Sequence, residues 1–215
     1  MVSPQHMFHK LATLESIRHF LEHVVQAASE ELKDIEEKNA TGAFPEFADY
    51  EHALDYPLLR VEIASRAVLY EVTALVEYSV YEAAHHAWLG SPNRKGPKTL
   101  LQLPDPVSES LSSLRMVTDL RFPDVVALFE AHYEASVRTL PGWGVFSQAR
   151  DIVNAFKHTN GFIDFRKVPL EEARIGVRYL VGADQARAAI AAAQSFLTAL
   201  YAATHPKTGP DAGTR

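Results

Sequence analysis

The run Arg66-Ala67-Val68-Leu69-Tyr70-Glu71-Val72-Thr73-Ala74-Leu75-Val76-Glu77-Tyr78 decides the fold class of this chain. Apolar side chains continue beyond it at Val61, Ala64, Ala83 and Ala87, and they cover much of a helix circumference rather than one stripe. A helix that is apolar on most sides belongs among other helices, at the centre of a bundle. The spacing predicts one long helix from near Pro57 to Leu89, with Pro57 in the first turn, where its missing amide hydrogen costs nothing. Gly90-Ser91-Pro92 ends it. Arg66 and Glu77 need partners there, because a charge on a central helix is expensive to desolvate.

Upstream, Leu14, Ile17, Leu21, Val24, Ala28, Leu32 and Ile35 recur three and four apart, which predicts an amphipathic helix from about His9 to Lys38. Asn39-Ala40-Thr41-Gly42 and then Pro45 stop it. Downstream, residues 90–106 form a loop rich in Gly, Pro and basic residues. A helical region from Ser108 to about Ala135 is broken at Phe122-Pro123, and Leu140-Pro141-Gly142-Trp143-Gly144 is a turn with an aromatic anchor. A short helix follows from Val145 to His158, with Asn160-Gly161 as its cap. The last helix runs from Asp184, read as its N-cap, to about Thr204. Between these two, alternation at Ile163-Asp164-Phe165 and Val177-Arg178-Tyr179-Leu180 suits either a short two-stranded flap near 162–181 or a structured loop. The expected architecture is an all-α bundle of four or five main helices, one domain over 1–205, with a disordered tail over 206–215.

The chain has 215 residues, a net charge of −6 and no cysteine. The last point excludes disulfides, thiolate metal sites and a cysteine nucleophile, and agrees with a reducing cytoplasm. The first residues lack the basic-then-apolar order of a signal peptide, and no run approaches the roughly 18 apolar residues of a membrane span. A soluble cytoplasmic protein with no membrane contact is therefore expected. Charge is uneven: residues 1–92 hold 6 basic against 15 acidic side chains, net −9, and residues 93–215 hold 15 against 12, net +3. A polyanion would approach the C-terminal half, where Arg94, Lys95, Lys98, Arg166, Lys167, Arg174 and Arg178 lie.

Phosphate-binding glycine loops and the nucleophile elbow are absent from the sequence. Glu82-Ala83-Ala84-His85 has the Glu-x-x-His spacing of bundle di-iron sites, but no second copy accompanies it. His19, His23 and His85 or His86 would be the ligands of a mononuclear bundle site. Surface histidines are the simpler reading, and no metal or cofactor is expected. The short helix Val145–His158 is more informative. Val145, Ala149, Ile152 and Phe156 make an apolar stripe, and Arg150, Asn154 and His158, each four apart, stack on the opposite side. Arginine holds a phosphate bidentately, histidine moves protons near neutral pH, and asparagine orients a ring or a hydroxyl. Lys157 and Asp151 flank the three as substrate contacts.

A late helix reading Arg150-x-x-x-Asn154-x-x-Lys157-His158, followed by Asn160-Gly161, resembles the HEPN superfamily, as does the helix Arg66–Tyr78 with its early arginine and later acidic residue. The resemblance covers about residues 57–204. It implies a metal-independent endoribonuclease, with a toxin, antiphage or stress-response role, that works as a homodimer and has RNA as substrate. In it, Arg150, Asn154 and His158 are catalytic, and Arg66 or Glu77 are supporting charges. A neutralising protein partner goes with a toxin role. Seven residues separate Arg150 from His158 where the family motif has four to six, and Asp151 stands where asparagine is frequent. Two other readings stay open: a non-catalytic helical module for a protein or nucleotide, and a metal-binding bundle.

Overall fold

The computed structural model describes residues 3–90, 120–133, 135–159 and 179–205. These form α1 (Pro4–Ala40), α2 (Phe47–Gly90), α3 (Phe122–Tyr133), α4 (Trp143–Thr159) and α5 (Ala183–Thr204), with one 3-10 turn at Val137–Thr139. The protein is an all-α helical bundle, and no strand occurs among the described residues. The expected loop at 90–106, the helical stretch 108–119, most of the flap region, the Asn160-Gly161 cap and the tail lie outside them.

Two compact units divide the chain, one of residues 12–74 with 144–193, the other of 1–11 with 75–143 and 194–215. In the first, Leu14, Leu21, Ala28 and Ile35 of α1 are buried at strict seven-residue intervals, the spacing that keeps one seam of a helix against its neighbour. Ala64, Val68 and Val72 are buried on α2, and Arg60 of α2 pairs with Glu31 of α1. The start of α5 is tied to α1 by Arg187, whose Nε and Nη2 donate to the two oxygens of Glu22 at 2.8 and 2.7 Å. This fork holds the Glu22 carboxyl below its usual range and the guanidinium charged.

In the second unit, Trp143 stacks on Phe122 with ring planes 9° apart and centroids 6.3 Å apart, and it also meets Phe196. Gly142 precedes it at φ 85, a left-handed conformation in which a Cβ would be strained, so the turn delivers the indole at the first residue of α4. The break expected at Phe122-Pro123 is the start of α3, with Pro123 in its first turn. Tyr81 Oη donates to the Leu120 carbonyl at 2.9 Å beside it.

Three expectations about helix ends are corrected. Helix α1 starts at Pro4, one turn before His9. Helix α2 starts at Phe47, so Pro57 lies inside the helix rather than in its first turn. The ten residues before Pro57 are mostly exposed and carry no buried stripe, so hydrophobic period gave no signal for them, and the helix tolerates one missing backbone bond. Asp184 is not the cap of α5. Gly182 is: its carbonyl accepts from Ala186 N at 3.3 Å, and its N–H donates to Gln185 Oε1 at 3.2 Å, the return half of a capping box. Asp184 sits in the first turn and pairs with Arg187 at 2.8 Å.

These packing roles predict unequal costs. Leu21→Ala removes a fully buried seam residue and should lower unfolding free energy by about 2–5 kcal/mol. Arg187→Ala breaks a partly solvated fork and should cost less than about 1 kcal/mol. Urea titration of the two variants checks the ranking.

Candidate functional site on helix α4

Helix α4 buries Phe146, Ala149 and Val153. The expected stripe is therefore one residue out of phase. Of its members only Ala149 is buried, Ile152 and Phe156 are half-buried, and Val145 is 39% exposed. The buried line runs through Phe146 and Val153 in place of Val145 and Ile152.

That rotation also changes the polar row. Successive residues turn by about 100°, so a step of four advances about 40° past a full turn. Arg150, Asn154 and His158 thus form an oblique line that starts near the edge of the buried face and climbs away from it. Burial follows the geometry: Arg150 and Asn154 are half-buried, and His158 is exposed. Asp151 and Lys157 are exposed too. The row does not stand opposite the core, as the sequence suggested; its arginine end leans on the fold and its histidine end faces solvent.

The two supporting charges separate. Arg66 of α2 lies over the Phe156 ring, 5.2 Å from its centroid, with its Nε 3.6 Å from Glu62 Oε1. Phe156 points about 160° to 200° away from His158 and Asn154 around α4. Arg66 therefore reaches the helix on the flank away from the polar row. Glu77 belongs to the other unit and is half-buried. Tyr70 of α2 lies beside the row, its ring centroid 5.7 Å from Lys157 Nζ. Sequence reasoning passed over Tyr70, because an aromatic residue on a largely apolar helix reads as core.

A second polar cluster is built around Glu82, in the other unit. The carboxylate is buried and accepts from Lys10 Nζ and, at 2.8 Å, from His6 Nδ1. Burial pushes the Glu82 carboxyl up, but the hydrogen bonds from Lys10 and His6 outweigh it and hold it below the usual range. Lys10 also lies 5.4 Å from the centroid of the Tyr78 ring. His85 is buried, against the expectation of surface histidines, and burial pushes its imidazole down, with His86 adding to the effect. Burial lowers His86 likewise. The sequence held a signal for Lys10: it stands between Met7 and Leu14 at the spacing of the apolar stripe, where a lysine needs a buried partner. Glu82 is engaged by Lys10 and His6, and among the described residues no group of three or more His, Asp or Glu side chains is placed to hold a metal ion.

No protein-family model, no curated protein and no solved structure matches this chain. Among the described residues no helix is long and apolar enough to cross a membrane.

The histidine shifts fix a sign for pH dependence. His85 and His86 have folded values below their ordinary 6.5, so the unfolded chain binds more protons as pH falls through that value. Stability present above pH 6.5 should decline below it, and decline again in more acid solution as Glu82 protonates. Melting temperature measured from pH 8 to about pH 2 should show both stages, the second beginning only below pH 4.5 because Glu82 is held under its ordinary value. His85→Gln with His86→Gln should flatten the first stage and leave the second.

Proposed function

We infer that the protein is a HEPN-like, metal-independent endoribonuclease whose site is the polar row of α4. The observation that carries this reading is the graded row itself. Arg150 is half-buried, His158 is exposed, Asn154 lies between them, and Lys157 stands beside the row with Tyr70. In the reaction, an imidazole takes the proton of an RNA 2′-hydroxyl and the 2′-oxygen bonds to the adjacent phosphorus. The bond from phosphorus to the 5′-oxygen then breaks, and that oxygen leaves with a proton. The products are a 2′,3′-cyclic phosphate and a 5′-hydroxyl. Arg150 offsets the charge that grows on the phosphorane oxygens, Asn154 positions the imidazole or the substrate, and Lys157 and Asp151 contact the flanking nucleotide.

Length supports a dimer in this reading. Eight residues of helix place Arg150 and His158 about 12 Å apart along the axis, far for two groups acting on one phosphorus. Two α4 helices crossing antiparallel about Asn154 would set Arg150 of one copy beside His158 of the other. Each of the two sites then has one arginine and one histidine from different chains.

RNA cleavage in EDTA tests the reaction. His158→Ala and Arg150→Ala should each reduce it by about a hundredfold or more. Mixing the two inactive variants should restore about a quarter of wild-type activity, because half of the mixed population is heterodimer with one intact site. Cleavage unaltered by His158→Ala would end the mechanism, and failure to complement would end the shared site. Absence of turnover together with oligonucleotide binding that depends on Arg150 would assign the helix to a non-catalytic nucleotide-binding module.

A further inference from the structure

The outer face of α2 in the first unit carries an apolar stripe. Tyr56, Leu59 and Ile63 are 59%, 48% and 50% exposed, and Ala67 continues the line one turn on. Their spacing of three, four and four places them on one side of the helix. That side is turned about 100° around the helix from the buried line of Ala64, Val68 and Val72, and the two lines meet where Ala67 and Val68 line one depression. The stripe runs into a depression of about 250 Å³ between α1 and α2, lined by Ile17 and Phe20 of α1 and by Ala67 and Glu71 of α2. Phe20 is itself 52% exposed. Scattered exposed hydrophobic residues are ordinary, but a contiguous row with a pocket at one end marks a docking surface.

Charge says what docks there. The helical pair that carries the stripe, residues 12–74, holds 13 acidic against 5 basic side chains, net −8. Both α2 arginines in this stretch already face carboxylates, Arg60 at Glu31 and Arg66 beside Glu62. A second copy would bring −8 against −8. An anionic membrane surface would be repelled as well.

We propose that this face binds a basic amphipathic helix of a different protein, which lays leucine-like side chains along Tyr56, Leu59 and Ile63 and sets one large apolar residue in the depression beside Phe20. Lysines and arginines on its flanks face the acidic rims of α1 and α2. The occupant follows the helix-in-groove mode, with anchors three and four apart.

The test uses the full chain and two fluorescent, end-blocked peptides of about 18 residues, long enough to form a helix on the surface. Both carry leucine at three-four spacing; one has Lys and Arg elsewhere, its twin Glu. The basic peptide should bind about tenfold or more tightly than the twin, and more weakly as salt is raised. Leu59→Asn with Ile63→Asn should weaken that binding by about tenfold without changing net charge, and Phe20→Ser should do so from the α1 side. Unchanged helical circular dichroism shows that these exposed positions leave the fold intact. Equal binding of the two peptides, or full binding by the variants, overturns the proposal. So does self-association in sedimentation that the double variant abolishes, which makes a second copy the occupant. Co-sedimentation with phosphatidylcholine vesicles that the double variant abolishes overturns it in favour of a lipid surface.

Discussion

Burial of one face of α2 from Ala64 to Ala87 is the constraint on which the rest depends. From Ala64 through Val68, Val72, Val76, Val80, Ala83 and Ala87 that face meets almost no solvent. Ser65 Oγ is buried there without a hydrogen-bond partner among the described residues, but two other hydroxyls of the helix close on its own backbone. Thr73 Oγ1 donates to the Leu69 carbonyl and Ser79 Oγ to the Leu75 carbonyl, each at 2.7 Å, so these hydroxyls enter the core with a hydrogen bond already made. Glu82 has no carbonyl to turn to, being an acceptor, and its burial requires cations from another helix. Lys10 and His6 supply them, which fixes the first turns of α1 in register with the second half of α2.

The same face explains what the sequence disclosed and what it hid. Long apolar periods are readable because every side chain in them contributes to one direction, and the class of fold followed from two of them. The seven-residue seam of α1 appears in the sequence as a looser three-four pattern, since Ile17 and Val24 share it without being fully buried. Rotation of a short helix is harder. Helix α4 has few turns over which to average, and its apolar residues Val145, Phe146, Ile152, Val153 and Phe156 fit two neighbouring phases. A one-residue error in that phase was enough to move the polar row from the far side of the helix to the edge of its buried face. Phe47 to Tyr56 escaped notice for the opposite reason: a helix with no buried stripe has no period to read.

The two polar arrangements differ in what their surroundings ask of them. Around Glu82 the carboxylate and Lys10 are withdrawn from water, with the exposed His6 closing on them, so their energy goes into registering helices. On α4 the row is graded, from a guanidinium leaning on the fold to an imidazole in solvent, and proton exchange with a bound molecule is open to it. The acidic helical pair and the row on α4 also carry opposite chemistry within one unit. The first repels polyanions.

Pro57 gives α2 a joint. The ladder of backbone hydrogen bonds lacks the rung that residue 57 would have donated, and the ten residues before it have almost no core contact to hold them. Amide protons in that first stretch can therefore exchange through a local opening that leaves the rest of the helix closed, so one continuous helix comprises two segments of unequal stability. Tyr56 ends the weaker segment and Leu59 begins the stronger. A ligand bridging them would draw the first ten residues into the cooperative unit of the remainder, and slowed exchange there would register its arrival.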